Sequence, residues 1–256
     1  MKQTTLKNSN IARTEDKTSF INALTGKPFD FSSLHDEKNR TYDGLSYKNY
    51  ILYSVCIHSI NDKMSEIKSI SGVPFNCFCD IKAKLDSYIC SKCYSRTYMK
   101  MRKDLHFKNA KNEYFYSNVE LKKEDIPYLN TDFFRFESFG ELTSQLKVKN
   151  YFLICEVNKN TFFAFFTKLP FMIDKAMKKY NIRKPKNCKI IQSSLQINII
   201  DKPMYSFIDA VFTVFDKDTI QKKGININCL KKCINCLKCY RPNETEGILY
   251  LYELLK

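Results

Sequence analysis

Hydrophobic residues along the chain fall into a repeating pattern that becomes regular only after its first third. Residues 1–45 are rich in Lys, Asn, Ser, Thr and Asp with no apolar period, and read as a loosely structured N-terminal arm. An apolar-rich run over 50–60 predicts a first strand or short helix, and Ser71-Gly72-Val73-Pro74 marks a turn. Tyr94, Tyr98, Met101 and Leu105 recur at spacings of three and four, predicting a helix from Cys93 to about residue 116. A strand is then expected over 133–139, a helix over 141–157 and a strand over 161–167. Leu169, Met172, Ile173, Ala176, Met177 and Tyr180 share one helical face that ends before Pro185, and buried strands follow over 188–195 and 210–215.

Strands alternating with helices through short links predict an α/β fold with a parallel sheet and right-handed crossovers. Too few strands are visible for eight, so the expectation is a partial or open (β/α) barrel-like sheet with cysteine-rich metal-binding segments. The expected divisions are the arm (1–45), an α/β core holding a first cysteine group (46–225) and a C-terminal cysteine-rich segment (226–256).

The chain has 256 residues and 11 cysteines, enough length for a sizeable core without disulfides. Its polar N-terminus has no signal-peptide pattern and its apolar runs are far shorter than the roughly 20 residues a span requires. A cytoplasmic, reducing location without membrane insertion is therefore expected, and metal binding is the default role for the thiols. The net charge of +15 suits nucleic acid or another polyanion, but it is scattered and equally fits a Lys- and Asn-rich composition.

The most specific chemical signal is Cys229-x3-Cys233-x2-Cys236-x2-Cys239. Soft thiolates select zinc, iron–sulfur clusters or Cu(I), and cysteines repeated at x2 spacing resemble the runs that wrap a 4Fe-4S cubane. The earlier group, Cys77-x1-Cys79-x10-Cys90-x2-Cys93, is as compatible with zinc. Cys56 and Cys155 lie in apolar patterns as small hydrophobes, and His35, His58 and His106 have no ligand-spaced partner. Parallel α/β folds gather function at the C-terminal ends of strands, which makes Glu137, Ser138, Glu141, Lys168, Ser193 and Ser194 candidate catalytic groups.

Three motifs in order, Cys90-x2-Cys93-Tyr94, Phe134-Arg135-Phe136-Glu137-Ser138-Phe139-Gly140-Glu141 and Phe163-Ala164-Phe165-Phe166-Thr167-Lys168, followed by the C-terminal cysteine run, resemble a cysteine-rich family of phage and plasmid proteins named after a mycobacteriophage gene product, gene product 88. The resemblance spans roughly residues 70–240. It implies a layout like the radical S-adenosylmethionine barrel and a place in a mobile genetic element. Where that family carries a His-x-Ser-Gly-Asp type block, this chain has Glu137-Ser138-Phe139-Gly140-Glu141, so an imidazole is replaced by a carboxyl. The function expected is an iron–sulfur protein acting as a redox or radical-S-adenosylmethionine-like enzyme on a small molecule; the alternative is a nucleic-acid-binding protein without catalysis, stapled by zinc or an iron–sulfur cluster.

Overall fold

The computed structural model describes residues 20–21, 28–57, 63–73, 85–243 and 247–255. Seven strands form its main sheet: β1 (Cys56–Ile57), β2 (Lys68–Ile70), β3 (Phe133–Phe136), β4 (Phe162–Thr167), β5 (Cys188–Ser193), β6 (Ala210–Phe215) and β7 (Leu249–Leu254). They lie side by side in chain order. β2 to β7 are parallel and β1 is antiparallel to β2. The sheet is open, with β1 and β7 as its edges; a closed barrel is not formed among the described residues.

The helices are α1 (Tyr47–Ser54), α2 (Tyr94–Met101), α3 (Lys103–Asn118), α4 (Gln145–Val157), α5 (Pro170–Tyr180), α6 (Lys217–Lys223) and the single turn α7 (Cys233–Cys236). Local chemistry sets several of their ends. Ser144 caps α4 by accepting the Lys147 N–H at 3.1 Å, and Asp216 caps α6 through the Thr219 N–H at 2.7 Å. Pro170 sits in the first turn of α5, and Asn181 and Gly224 take the left-handed conformation that closes α5 and α6.

Alternation along the strands gives the sheet two different faces. Phe134, Phe136, Phe163, Phe165, Cys188 and Ile190 point toward α1, α3, α4 and α5, whose Tyr50, Phe115, Tyr116, Tyr151, Phe152 and Ile173 fill the larger core. Sequential parallel strands joined by crossovers of one hand bring helices to one side in this way. On the opposite face, Ala164, Phe166, Ile191, Ala210 and Leu251 are covered by Leu237 and Tyr240 from the C-terminal cysteine segment.

Several expectations change. Packed structure begins inside the expected arm: residues 35–46 form a three-stranded antiparallel sheet and Tyr42 is buried against Tyr50 and Phe115. The helix expected after Cys93 is two helices, because Arg102 leaves helical geometry at φ −125°, ψ 90°. The strand expected over 133–139 stops at Phe136, since Glu137 turns to φ +57°. The C-terminal segment is part of the core sheet through β7, an element not anticipated. Cys155 is buried in the core as expected, and beside it lies the buried thiol of Cys188.

Candidate metal centre

The last cysteine group lies across the sheet face that the main helices leave uncovered. Its beginning is tied to β7: Asn228 Nδ2 donates to the Tyr250 carbonyl at 2.9 Å, its Oδ1 accepts the Tyr252 N–H at 2.8 Å, and the Cys229 N–H donates to the Tyr252 carbonyl at 3.0 Å. The Cys233 N–H then donates to the Lys63 carbonyl at 2.6 Å. α7 places Cys233 and Cys236, three residues apart, on the same side of one turn. Leu237 ends that turn at φ +56° and inserts with Tyr240 into the apolar face.

The sheet presents cations to this segment. Parallel register aligns Arg135, Ala164 and Lys189 in one row across β3, β4 and β5. The small Ala164 leaves room between two long basic side chains that start about 10 Å apart. Arg135 lies over the Phe166 ring, 3.9 Å from its centroid. Lys189 Nζ donates to the Lys238 carbonyl at 2.9 Å, between Cys236 and Cys239.

All four thiols are half-buried and act on one another. Burial pushes the Cys239 pKa up to about 12, with Cys229, Cys233 and Cys236 adding to the rise and Arg135 opposing it. Burial likewise raises Cys229 and Cys233, against Lys63 at both and Arg135 at Cys233. Among the described residues no three His, Cys, Asp or Glu side chains are already gathered closely enough to hold a metal ion. The donor chemistry nevertheless suits a thiophilic metal. The four thiols share one neighbourhood with two cations, and the Tyr240 hydroxyl beside Cys233 and Cys239 is buried with no hydrogen-bond partner among the described residues. An orphaned buried donor next to sulfur calls for an acceptor.

Cys90 and Cys93 of the first group pack elsewhere. Cys90 is buried in a 3-10 turn (Ile89–Lys92) against Leu169 and Met172, and Cys93 stands at the start of α2. The Ile89 N–H donates to the Leu195 carbonyl at 2.9 Å, which brings this stretch to the C-terminal end of β5. Cys77, Cys79 and His58 lie outside the described residues.

The candidate catalytic carboxyls form a buried network at the C-terminal ends of β2, β3 and β4. Lys147 on α4 is its centre: its ammonium meets Glu113 Oε2 at 2.7 Å, Glu137 Oε1 at 2.6 Å and the Glu141 carbonyl at 2.8 Å. Glu137 also accepts the Tyr151 hydroxyl at 2.7 Å and the Gly72 N–H at 3.0 Å. Burial pushes its pKa up to about 7, Lys147 pulls it down, and Glu113 adds to the rise. Burial lowers Lys147, but the two carboxylates outweigh it and hold the ammonium above its ordinary value. Glu141 accepts from the Thr167 hydroxyl, the Lys168 N–H and the Leu142 N–H, while Ser138 bonds Ser69 at 3.1 Å and Ser71 at 2.7 Å. Ser194 instead bonds Thr213 on β6 at 2.8 Å, and Ser193 ends β5 half-buried. The structure thus joins Glu137, Glu141 and Lys168 through neighbouring bonds and places Ser193 and Ser194, at the end of β5 and just beyond it, apart.

Sequence reasoning missed Glu113, Lys147, Arg135, Lys189 and Tyr240. A signal existed for Lys147, which shares the apolar stripe of Val148, Tyr151, Ile154 and Cys155. No family model, no curated protein and no solved structure matches this chain.

Proposed function

We propose that this chain is an iron–sulfur protein whose cluster is held by Cys229, Cys233, Cys236 and Cys239, with electron transfer as its chemistry. The observation that carries the reading is the shared setting of those four thiols, beside Arg135, Lys63 and a Tyr240 hydroxyl that has no hydrogen-bond partner among the described residues. A thiolate-held cluster is anionic, and cations and buried donors around sulfur are among the features that set its potential. When bound, the cluster supplies one-electron transfer; the protein supplies ligands, charge balance and shelter from water on the sheet face.

Cys239 bears on the redox form of the reading. Its thiol acts on the other three through space, which supports ligation by four cysteines once the segment draws them together around a cluster. Radical S-adenosylmethionine chemistry needs one iron left open, and a fourth thiolate fills that position. The x2 spacing of Cys233, Cys236 and Cys239 favours a cluster over zinc. Zinc held by the same four thiols, as a structural staple, is the alternative.

The test is anaerobic purification with metal analysis, visible absorption and electron paramagnetic resonance. About four irons per chain and a broad absorbance that bleaches on reduction support the cluster. Cys236→Ser should then lose most of the colour, whereas Cys56→Ser should keep it. Colourless protein with zinc after anaerobic reconstitution would replace the cluster with a staple, and protein that binds neither would overturn both readings.

A further inference from the structure

A cavity of about 330 Å³ opens at the N-terminal edge of β4 and β5, with Phe162, Lys184, Lys186, Lys189, Asp209 and Asn243 in its wall. Its charges do not cancel. Asp209 is spent on Lys184, whose Nζ meets the two carboxylate oxygens at 2.6 and 2.7 Å, and Asp209 Oδ2 also accepts the Ile190 N–H at 2.7 Å. Lys186 is exposed at the rim.

Lys189 is the unusual member. It is only 7% exposed, and its ammonium donates to two neutral acceptors, the Lys238 carbonyl and Asn243 Oδ1. No carboxylate lies within ion-pair distance of it among the described residues, and one of its three N–H donors has no acceptor there. Asp209, committed to Lys184, and Cys239 act on this ammonium only at longer range, whereas buried charges are ordinarily paired in contact. The cavity opens beside this ammonium, and its volume is at the small end of the range for ligand sites. After the Lys184–Asp209 pair is set aside, the wall carries two positive charges, which match a dianion.

We propose that this cavity binds a small phosphomonoester-class anion, with Lys189 as its buried contact and Lys186 at its mouth. The site does not depend on the metal reading, although Lys189 also holds the backbone between Cys236 and Cys239. A bound anion therefore lies next to the cysteine loop.

The test is titration of the full chain with inorganic phosphate, followed by calorimetry and thermal melting, against chloride at matched ionic strength. Saturable binding and a rise in Tm with phosphate but not chloride are expected. Lys189→Met should weaken phosphate binding about tenfold or more, equivalent to roughly 1.4 kcal/mol or more. Lys186→Gln should weaken it by less, and Lys178→Gln, on α5 outside the cavity, should leave it unchanged. If Lys189→Met does not fold, Lys186→Gln and the charge-keeping Lys189→Arg carry the test. Binding equal to that of chloride, or unaffected by every folded cavity variant, would overturn the proposal.

Discussion

Replacing Lys147 with Met removes the one cation shared by two buried carboxyls while keeping most of the side-chain volume. Lys147, Glu113 and Glu137 side chains are 0% exposed, and the ammonium contacts the two carboxylates at 2.7 and 2.6 Å. At an effective dielectric of about 20, each contact is worth roughly 6 kcal/mol before desolvation and the repulsion between the two carboxylates are subtracted. Those opposing terms take back most of the gross attraction, and removal of one partner from a buried ion group typically costs about 3–5 kcal/mol. For a chain of this size that is a fall in Tm of about 6–20 °C. The cost should also depend on pH. Glu137 has a folded pKa of about 7 against its ordinary 4.5. Between those values the native state holds a proton that the unfolded state has lost, so this group's contribution to stability falls as pH rises through the window. Without Lys147 the window extends upward, because the buried Glu137 carboxyl loses the cation that pulls its pKa down. Urea denaturation followed by circular dichroism should therefore show a larger loss at pH 8 than at pH 5.5. A loss below about 1 kcal/mol at pH 8, or an equal loss at the two pH values, would refute the reasoning.

Gly140→Ala should destabilise by about 1–3 kcal/mol in the same assay, because its Cβ would lie 1.8 Å from Glu137 Oε2 and 2.8 Å from the Gly72 nitrogen. Unchanged stability would mean that Glu137 moves freely. Ser144→Ala removes the cap acceptor for the Lys147 N–H and should cost about 1 kcal/mol by thermal melting. Tyr240→Phe should leave metal-free protein equally stable or up to about 1 kcal/mol more stable, since it deletes a buried hydroxyl with no partner. A clear destabilisation would show that the hydroxyl already has a partner, and would remove one support for the metal centre.

The legible parts of the fold were those whose chemistry is local. β4 and β6 stand out as short apolar runs, and the 169–180 stripe becomes α5 because Pro170 and Asn181 mark its ends. The stripe through Tyr94, Tyr98, Met101 and Leu105 does not carry into α3: Met101, at the end of α2, is exposed, whereas the buried face of α3 includes His106, Asn109, Asn112 and Glu113. Some of those polar groups find their partners in distant segments, as when Asn112 Nδ2 reaches the Ser71 carbonyl at 3.0 Å and Tyr50 reaches Asn112 Oδ1 at 3.0 Å. Periodicity cannot report such partners. The cysteine spacing was legible in the same local sense, but its cations were not, because Arg135 and Lys189 are aligned by parallel register across strands more than fifty residues apart.

The sheet's two faces differ in how they are held. One is buried by four helices with large aromatic side chains, whereas the other is closed by a segment whose longest regular element is the four-residue α7. That segment buries Leu237 and Tyr240 well, yet its Cys233, Ile234 and Cys239 are only partly covered. A stretch with so little apolar contact has low local stability by itself. Metal bound by its cysteines while the segment lies on the sheet would add its binding free energy to the closed state. Amide hydrogen exchange should consequently be slower over residues 229–241 in metal-loaded protein than in metal-free protein. The adjoining β3 and β4, which carry Phe133 and Phe166 beneath the segment, should change less because their backbone pairs within the sheet. Equal protection of residues 229–241 with and without metal would mean that the apolar contacts alone hold this face closed.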